Sequence, residues 1–253
     1  MEHRASPRLD DRAEHQINST AGAEPLRQLP QRVARLGGVR TPRGLPVRRR
    51  PSPRHTTMFR LKRPGARQIG EFLAAQRERS FSYVEVGATR STPPAGYTVD
   101  HNRARLGAGA DTFQRAAFAL REWRMTSLGW SAVHPARAPV VPGTDVVVVV
   151  RHYGFWSLNA CRIVYVLDEA DDESNRVRRV GFAYGTLPDH GEVGEERFMV
   201  EWNLSDDSVW YDLYALSRPG HPLARVGYPL ARRLQRRFAR DSKRAMVAAA
   251  DVR

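Results

Sequence analysis

The chain has 253 residues, 41% of them hydrophobic and 9% aromatic, enough for one sizeable globular core with or without a tail. Its net charge of +14 comes from 41 Lys and Arg against 27 Asp and Glu. No apolar run approaches the length of a membrane-spanning helix, and the opening MEHRASPRLDD has no apolar segment of the secretory kind. Cys161 is the only cysteine, which excludes an internal disulfide and fits a reducing, cytoplasmic setting.

Charge density separates the first segment from the rest. Residues 1–57 hold 12 Arg and five acids, half of the net charge, and no Phe, Trp or Tyr. The stretch TPRGLPVRRRPSPRH has no apolar period and cannot bury enough surface to offset the entropy of ordering it. It is expected to be a disordered Arg/Pro-rich extension, with residues 58–253 forming a single domain. Three readings stay open for the extension: translated sequence upstream of a natural start at Met58, a solvated tail, or an arm that meets nucleic acid through phosphate contacts. The bias of 39 Arg to two Lys (Lys62 and Lys243) fits a GC-rich genome and weakens the third.

ARQIGEFLAAQ sets Ile69, Phe72 and Leu73 on one side of a short helix. FSYVEVGATR follows as a predicted strand, Tyr83 to Thr89, and STPPAGYTVDHNR as a loop broken by Pro93, Pro94 and Gly96. In LGAGADTFQRAAFALREWRM, Asp111 and Gln114 have capping-box spacing, and Phe113, Ala116, Ala117, Leu120 and Trp123 form an apolar stripe. Gly107 and Gly109 lack the Lys-Ser/Thr of a phosphate loop, so a tight turn before the helix is expected. TDVVVVVRHYG and FWSLNACRIVYVLDE read as long buried strands, and ADDESNRV as a polar turn. Strands at 177–187, 195–204 and 208–217 complete an antiparallel meander. A long amphipathic helix over 222–250 closes the chain, with Leu223, Val226, Leu230, Leu234, Phe238, Met246 and Ala249 on one face and arginines opposite. Pro229 must kink that helix or mark its restart.

The expected class is therefore α+β: a curved antiparallel sheet gripping a long C-terminal helix. That order resembles the helix-grip, START-like superfamily that includes the birch-pollen allergen proteins. The motifs YVEVGATR, PPAGY, LGAGADTFQRA, NACRIVYVLDE, GFAYGTLPDHGEVGEERF and SRPGHPLARVGYPLARRLQRRF resemble the uncharacterised domain-of-unknown-function family numbered nineteen-ninety over about residues 60–250. The resemblance implies a domain boundary and a fold. It carries no established activity.

Candidate site residues come from charges at strand positions where apolar residues are expected. In EERFMVEWNL, Glu196 begins an apolar row of Phe198, Val200, Trp202 and Leu204, while Glu195 begins the opposite, outward row. Arg162 lies mid-strand between Ala160 and Val164, Glu85 shares a face with Tyr83, and Tyr184 shares one with Thr186. Gly181, Ala183 and Gly185 form a row without bulk that invites close approach. Glu85, Arg162, Tyr184 and Glu196 are expected to meet at one end of a cavity, as a structural ion pair, a ligand-orienting cluster or a catalytic one. Tyr184, His190 and Glu196 are the candidates for acid–base work, although a lone turn histidine is ordinarily solvent-exposed. No nucleophile motif and no metal-ligand spacing accompanies them, and no cofactor is implied. The expected partner is a small hydrophobic or amphipathic molecule between sheet and helix. An enzyme of cyclase or hydrolase type is the alternative, or an interaction module using the basic C-terminal helix. Nucleic acid enters only through the basic tail or that helix.

Overall fold

The computed structural model describes residues 58–169, 176–220 and 228–251. The expectations for the extension 1–57, the turn 170–175 and the helix start at 222–227 lie outside the described residues. In chain order the elements are β1 (Phe59–Arg60), α1 (Ala66–Gln76), β2 (Thr98–Ala108), α2 (Ala110–Arg121), β3 (Ser131–His134), β4 (Asp145–Arg151), β5 (Trp156–Glu169), β6 (Val177–Thr186), β7 (Glu192–Asn203), β8 (Ser208–Pro219) and α3 (Tyr228–Asp251). The strands form one antiparallel sheet in the order β2-β8-β7-β6-β5-β4-β3, with β1 added to β5. α2 and α3 pack in its concave face, giving the helix-grip architecture.

The meander forms where the sequence alternates. Val146, Val148, Cys161, Ile163, Val180, Phe182, Phe198, Val200, Val209, Tyr211 and Leu213 point into the concave side and meet α2 and α3. Trp123 fills one end of that core: it is fully buried, 4.9 Å edge-to-face from Phe182, and its Nε1 donates to the Ala138 carbonyl. From α3, Phe238, Ala239, Met246 and Ala250 reach the same core. The opposite parity, Val147, Val149, Leu158 and Ala160, faces outward and is covered by Ile69 and Phe72 of α1.

Several local expectations are corrected. Residues 83–89 are not a strand. They form a turn and a 3-10 segment, Ala88–Arg90, laid on the convex face, because Gly87 adopts φ +89 and the backbone amides bind a side chain instead of a neighbouring strand. The loop expected at 91–103 instead becomes β2 from Thr98, pairing along its length with β8. Asp100 and Asn102, inward residues of its first half, are polar, and the apolar Leu106 reaches the core only near its end, so no hydrophobic alternation betrays it. Asp111 does not cap α2. Gly109 is the N-cap at φ +86, and its amide donates to the Asp207 carbonyl. Pro229 is the second described residue of α3, and both expectations for it, kink or restart, turn on residues 222–227, which lie outside the described residues.

Candidate functional site

A cavity of about 740 Å³ lies between the concave face and α3. Trp130, Val148, Val150, Leu213, Leu234 and Phe238 supply apolar wall. Trp202 does not fill this space, since it packs on Phe113. Trp210 points to the convex side, where Arg103 stacks on it. Phe182 belongs to the filled end beside Trp123.

One end of the cavity is polar. Tyr184 of β6 and Glu196 of β7 are cross-strand partners, and the Tyr184 hydroxyl donates to Glu196 Oε2 at 2.7 Å. Burial, joined by the charges of Glu192 and Asp100, pushes the Glu196 carboxyl up to about 7 against the opposing bond from Tyr184. Burial likewise raises Tyr184 well above an ordinary phenol. Glu192 accepts from Gln235 Nε2 at 2.7 Å on both oxygens, and burial raises its pKa although Gln235 and Arg232 oppose the shift. Arg232 forks onto Asp100, with Nη1 on Oδ2 and Nη2 on Oδ1.

His190 is not the exposed turn histidine expected of its context. It is half-buried and lines the cavity. Its Nδ1 lies 3.0 Å from the amide nitrogen and 2.9 Å from the carbonyl oxygen of Glu192, so the backbone engages that nitrogen in either neutral tautomer. Nε2 has no protein partner among the described residues. Burial lowers the ring to about 4, which leaves it neutral at pH 7. Further along the wall, His152 Nε2 and Ser157 Oγ lie 2.8 Å apart, and Asn159 donates to the same hydroxyl. Cys161 is a fully buried strand residue whose thiol is raised by burial.

The four-residue cluster does not assemble. Tyr184 and Glu196 meet, whereas Arg162 and Glu85 lie elsewhere. Arg162 shares the outward parity of Ala160. Its Nε bonds Asp145 Oδ1 at 2.5 Å, and its other nitrogens donate to the carbonyls of Gln76, Arg77 and Arg79. The arginine therefore satisfies the orphan carbonyls at the end of α1. Arg162→Lys keeps the charge and loses the fork. It is expected to cost about 1–2 kcal/mol in urea denaturation, with the cavity unaffected, because it acts on the opposite face of the sheet. Glu85 binds the Tyr97 hydroxyl at 2.8 Å and the Val84 amide on the surface.

Glu195, assigned to the outward row, is outward in parity yet buried. It receives the Tyr83 hydroxyl and the Gly87 amide, both at 2.7 Å, the Thr89 amide at 3.0 Å and the Thr89 hydroxyl. Gly185 of the row without bulk serves this clamp, since a Cβ there would collide with the Tyr83 hydroxyl, whereas one on Gly181 would meet the backbone of Phe198 and Met199. The cavity residues the sequence did not single out are Asp100, Arg232 and Gln235. Their signal was weak, two polar residues at alternate positions of TVDHN and charges on a helix already rich in arginine.

Among the described residues no group of His, Cys, Asp and Glu is placed to hold a metal. No helix among them is long and apolar enough to cross a membrane.

A curved sheet gripping a terminal helix around a partly open interior defines a helix-grip domain. Within that class, the family model "Domain of unknown function (DUF1990)" matches residues 82–245, and the chain belongs to this family. A UPF0548 protein of Dictyostelium discoideum is 32% identical over 208 residues, covering 76% of this chain and 95% of the relative. One from Deinococcus radiodurans is 36% identical over 208 residues, covering 76% and 99%. Among solved structures, a hypothetical protein from Helicobacter pylori has a TM-score of 0.42 at 13% identity, covering 61% of this chain and 88% of its own. A norcoclaurine synthase from Thalictrum flavum has a TM-score of 0.37 at 15% identity, covering 62% and 97%. At such scores the likeness carries no weight, and the architecture rests on the strands and helices of this chain.

Proposed function

We propose that the protein binds a small hydrophobic or amphipathic molecule in the cavity between the sheet and α3. The observation that carries this reading is the 740 Å³ space itself, with apolar walls and hydrogen-bonding groups gathered at the Tyr184–Glu196 end. Ligand pockets have that size and that division of labour. The arginines of α3 are in part engaged by Asp100, Asp241 and the Trp130 ring, which favours a solvated face over a phosphate-binding one. The single buried thiol fits a reducing, cytoplasmic setting.

Ala215 lines the floor of the cavity, so Ala215→Phe fills it without cutting a hydrogen bond. Native mass spectrometry of the full chain, purified gently from its own cells, is expected to show a discrete added mass. The Ala215→Phe protein, folded by circular dichroism, is expected to lack it. A bare wild-type chain would count against the reading.

A second reading, an acid–base enzyme using Tyr184, His190 and Glu196, is favoured by one observation: a carboxyl held near neutrality and a neutral imidazole lining the same cavity. It requires that the molecule retained by Glu196→Gln differ covalently from the one retained by the wild type.

A further inference from the structure

The sheet register puts an unusual row across the concave face. Tyr184 pairs with Glu196, Glu196 with Ala215, and Ala215 with Asp100. Adjacent strands lie about 4.8 Å apart, so the two acidic residues start about 10 Å from each other with only a methyl group between them. The floor between the carboxylates is therefore open.

Among the described residues no cation is bonded to Glu192 or Glu196. Asp100 of β2 and Glu192 and Glu196 of β7 share the cavity lining with Arg232, Arg236 and Arg240 of α3, but Arg232 is held by Asp100, the Arg236 Nε donates to the Arg232 carbonyl and the Arg240 Nε to Asp241. Lys243, further along α3, is held at Asn102, whose strand partner is Leu213, one inward position beyond Ala215. Gln235 of α3 is neutral, as is the imidazole of His190 at pH 7. The remaining groups facing Glu196 are the Cys161 thiol of β5 and the phenols of Tyr184 and Tyr211, all kept protonated by burial. The charges that act on Glu196 are those of Glu192 and Asp100, and both oppose its ionisation. Its Oε2 has Tyr184, whereas Oε1 has no hydrogen-bond partner among the described residues and is not sealed in protein, so it is open to the cavity.

We infer that the ligand carries a protonated amine that donates to Oε1 of Glu196, its apolar body lying against Leu213, Leu234 and Phe238. This rests on the cavity being a ligand site. An ammonium supplies both the donor and a counter-charge that no described cation brings to Glu196. An alcohol supplies only the donor, and a carboxylate is repelled by Glu192 and Glu196 together. Arg236 and Arg240 are exposed residues of the cavity lining, and neither is bonded to Glu192 or Glu196 among the described residues. Binding a cation favours the ionised carboxylate, so it must expel the proton that Glu196 holds part of the time at pH 7.

The test uses three probes of matched length, octylamine, 1-octanol and octanoate, titrated calorimetrically into the full chain at pH 7 in two buffers of different ionisation heat. Octylamine is expected to bind at least about tenfold more tightly than 1-octanol, with octanoate weakest, because a charge-assisted bond replaces a neutral one. About half a proton is expected to be released per octylamine, since the carboxyl is near half-titration. In Glu196→Gln the preference for the amine and the proton release disappear, while 1-octanol binding is retained. If 1-octanol or octanoate binds the wild type as tightly as octylamine, or if the preference survives Glu196→Gln, the amine assignment is overturned and the cavity reading stands. If none of the three binds, both fall.

Discussion

Glu195→Ala is expected to lower stability by about 4–5 kcal/mol, with its effect concentrated on one surface segment. Four donors converge on this carboxylate: the Tyr83 hydroxyl, the Gly87 and Thr89 amides, and the Thr89 hydroxyl. Glu195 itself is 3% exposed, Tyr83 5% and Thr89 2%, so water cannot replace the lost acceptor without opening the segment. Each stranded buried donor costs about 1–3 kcal/mol, and relaxation toward solvent recovers part of the sum. Arg197 and Tyr165 hold Thr89 from the other side through its carbonyl and hydroxyl, so the loss propagates to the convex face rather than to the cavity. Glu195→Gln keeps one acceptor and turns an amide donor toward the other donors, and is expected to recover less than half of the loss. The measurements are denaturant midpoints together with hydrogen exchange at Gly87 and Thr89. Unchanged exchange there, with a midpoint shift worth less than about 1 kcal/mol, would show that the clamp does not hold the segment.

The same carboxylate shows where sequence reading ended. The meander from β4 to β8 and all three helices were legible because their apolar residues recur at periods of 2 and 3.6. Alternation also separated Glu195 from Glu196. What alternation cannot say is which face of a sheet is concave, or what covers the other. Arg162 and Glu195 look like intruders in a core row, or like solvent-facing charges. They are neither, because α1 and the 81–90 segment turn the convex side into a second interior. Residues 83–89 imitate a strand through Tyr83, Glu85, Gly87 and Thr89 at every second position, yet Gly87 reverses the backbone and the amides find Glu195 more than a hundred residues away. β2 stayed hidden for the converse reason. Its inward Asp100 and Asn102 are rendered acceptable by Arg232 and Lys243 of α3, partners that no local pattern reveals. Tyr184 with Glu196 was the part of the site that survived, because both belong to one hairpin whose short turn fixes the register.

Glu196→Gln should stabilise the free protein in a strictly pH-dependent way. The carboxyl is raised from 4.5 in the unfolded chain to about 7 in the fold, so between these values the native state binds the proton that the unfolded state has released. Stability attributable to this group is fully present below about pH 4.5 and is lost as pH rises through 7. At about 1.4 kcal/mol per unit of displacement, the loss approaches about 3 kcal/mol on the alkaline side. The amide cannot ionise and escapes it. The wild-type profile alone would conceal the effect, because His190 runs the other way. Its ring is depressed from 6.5 to about 4, so its contribution is present above about 6.5 and is lost as pH falls through 4. The two slopes oppose each other across pH 4.5–6.5, while Glu192, also raised by burial, adds to that of Glu196, so the wild-type curve shows only their sum. Subtracting the wild-type from the Glu196→Gln denaturation free energy isolates the carboxyl: near zero at pH 4, rising through neutrality, and levelling at about 3 kcal/mol by pH 8. A difference that does not change with pH would mean that Glu196 titrates as an ordinary surface acid. The polar end of the cavity would then be open to bulk water, and neither the amine contact nor acid–base chemistry could draw on a carboxyl held near neutrality.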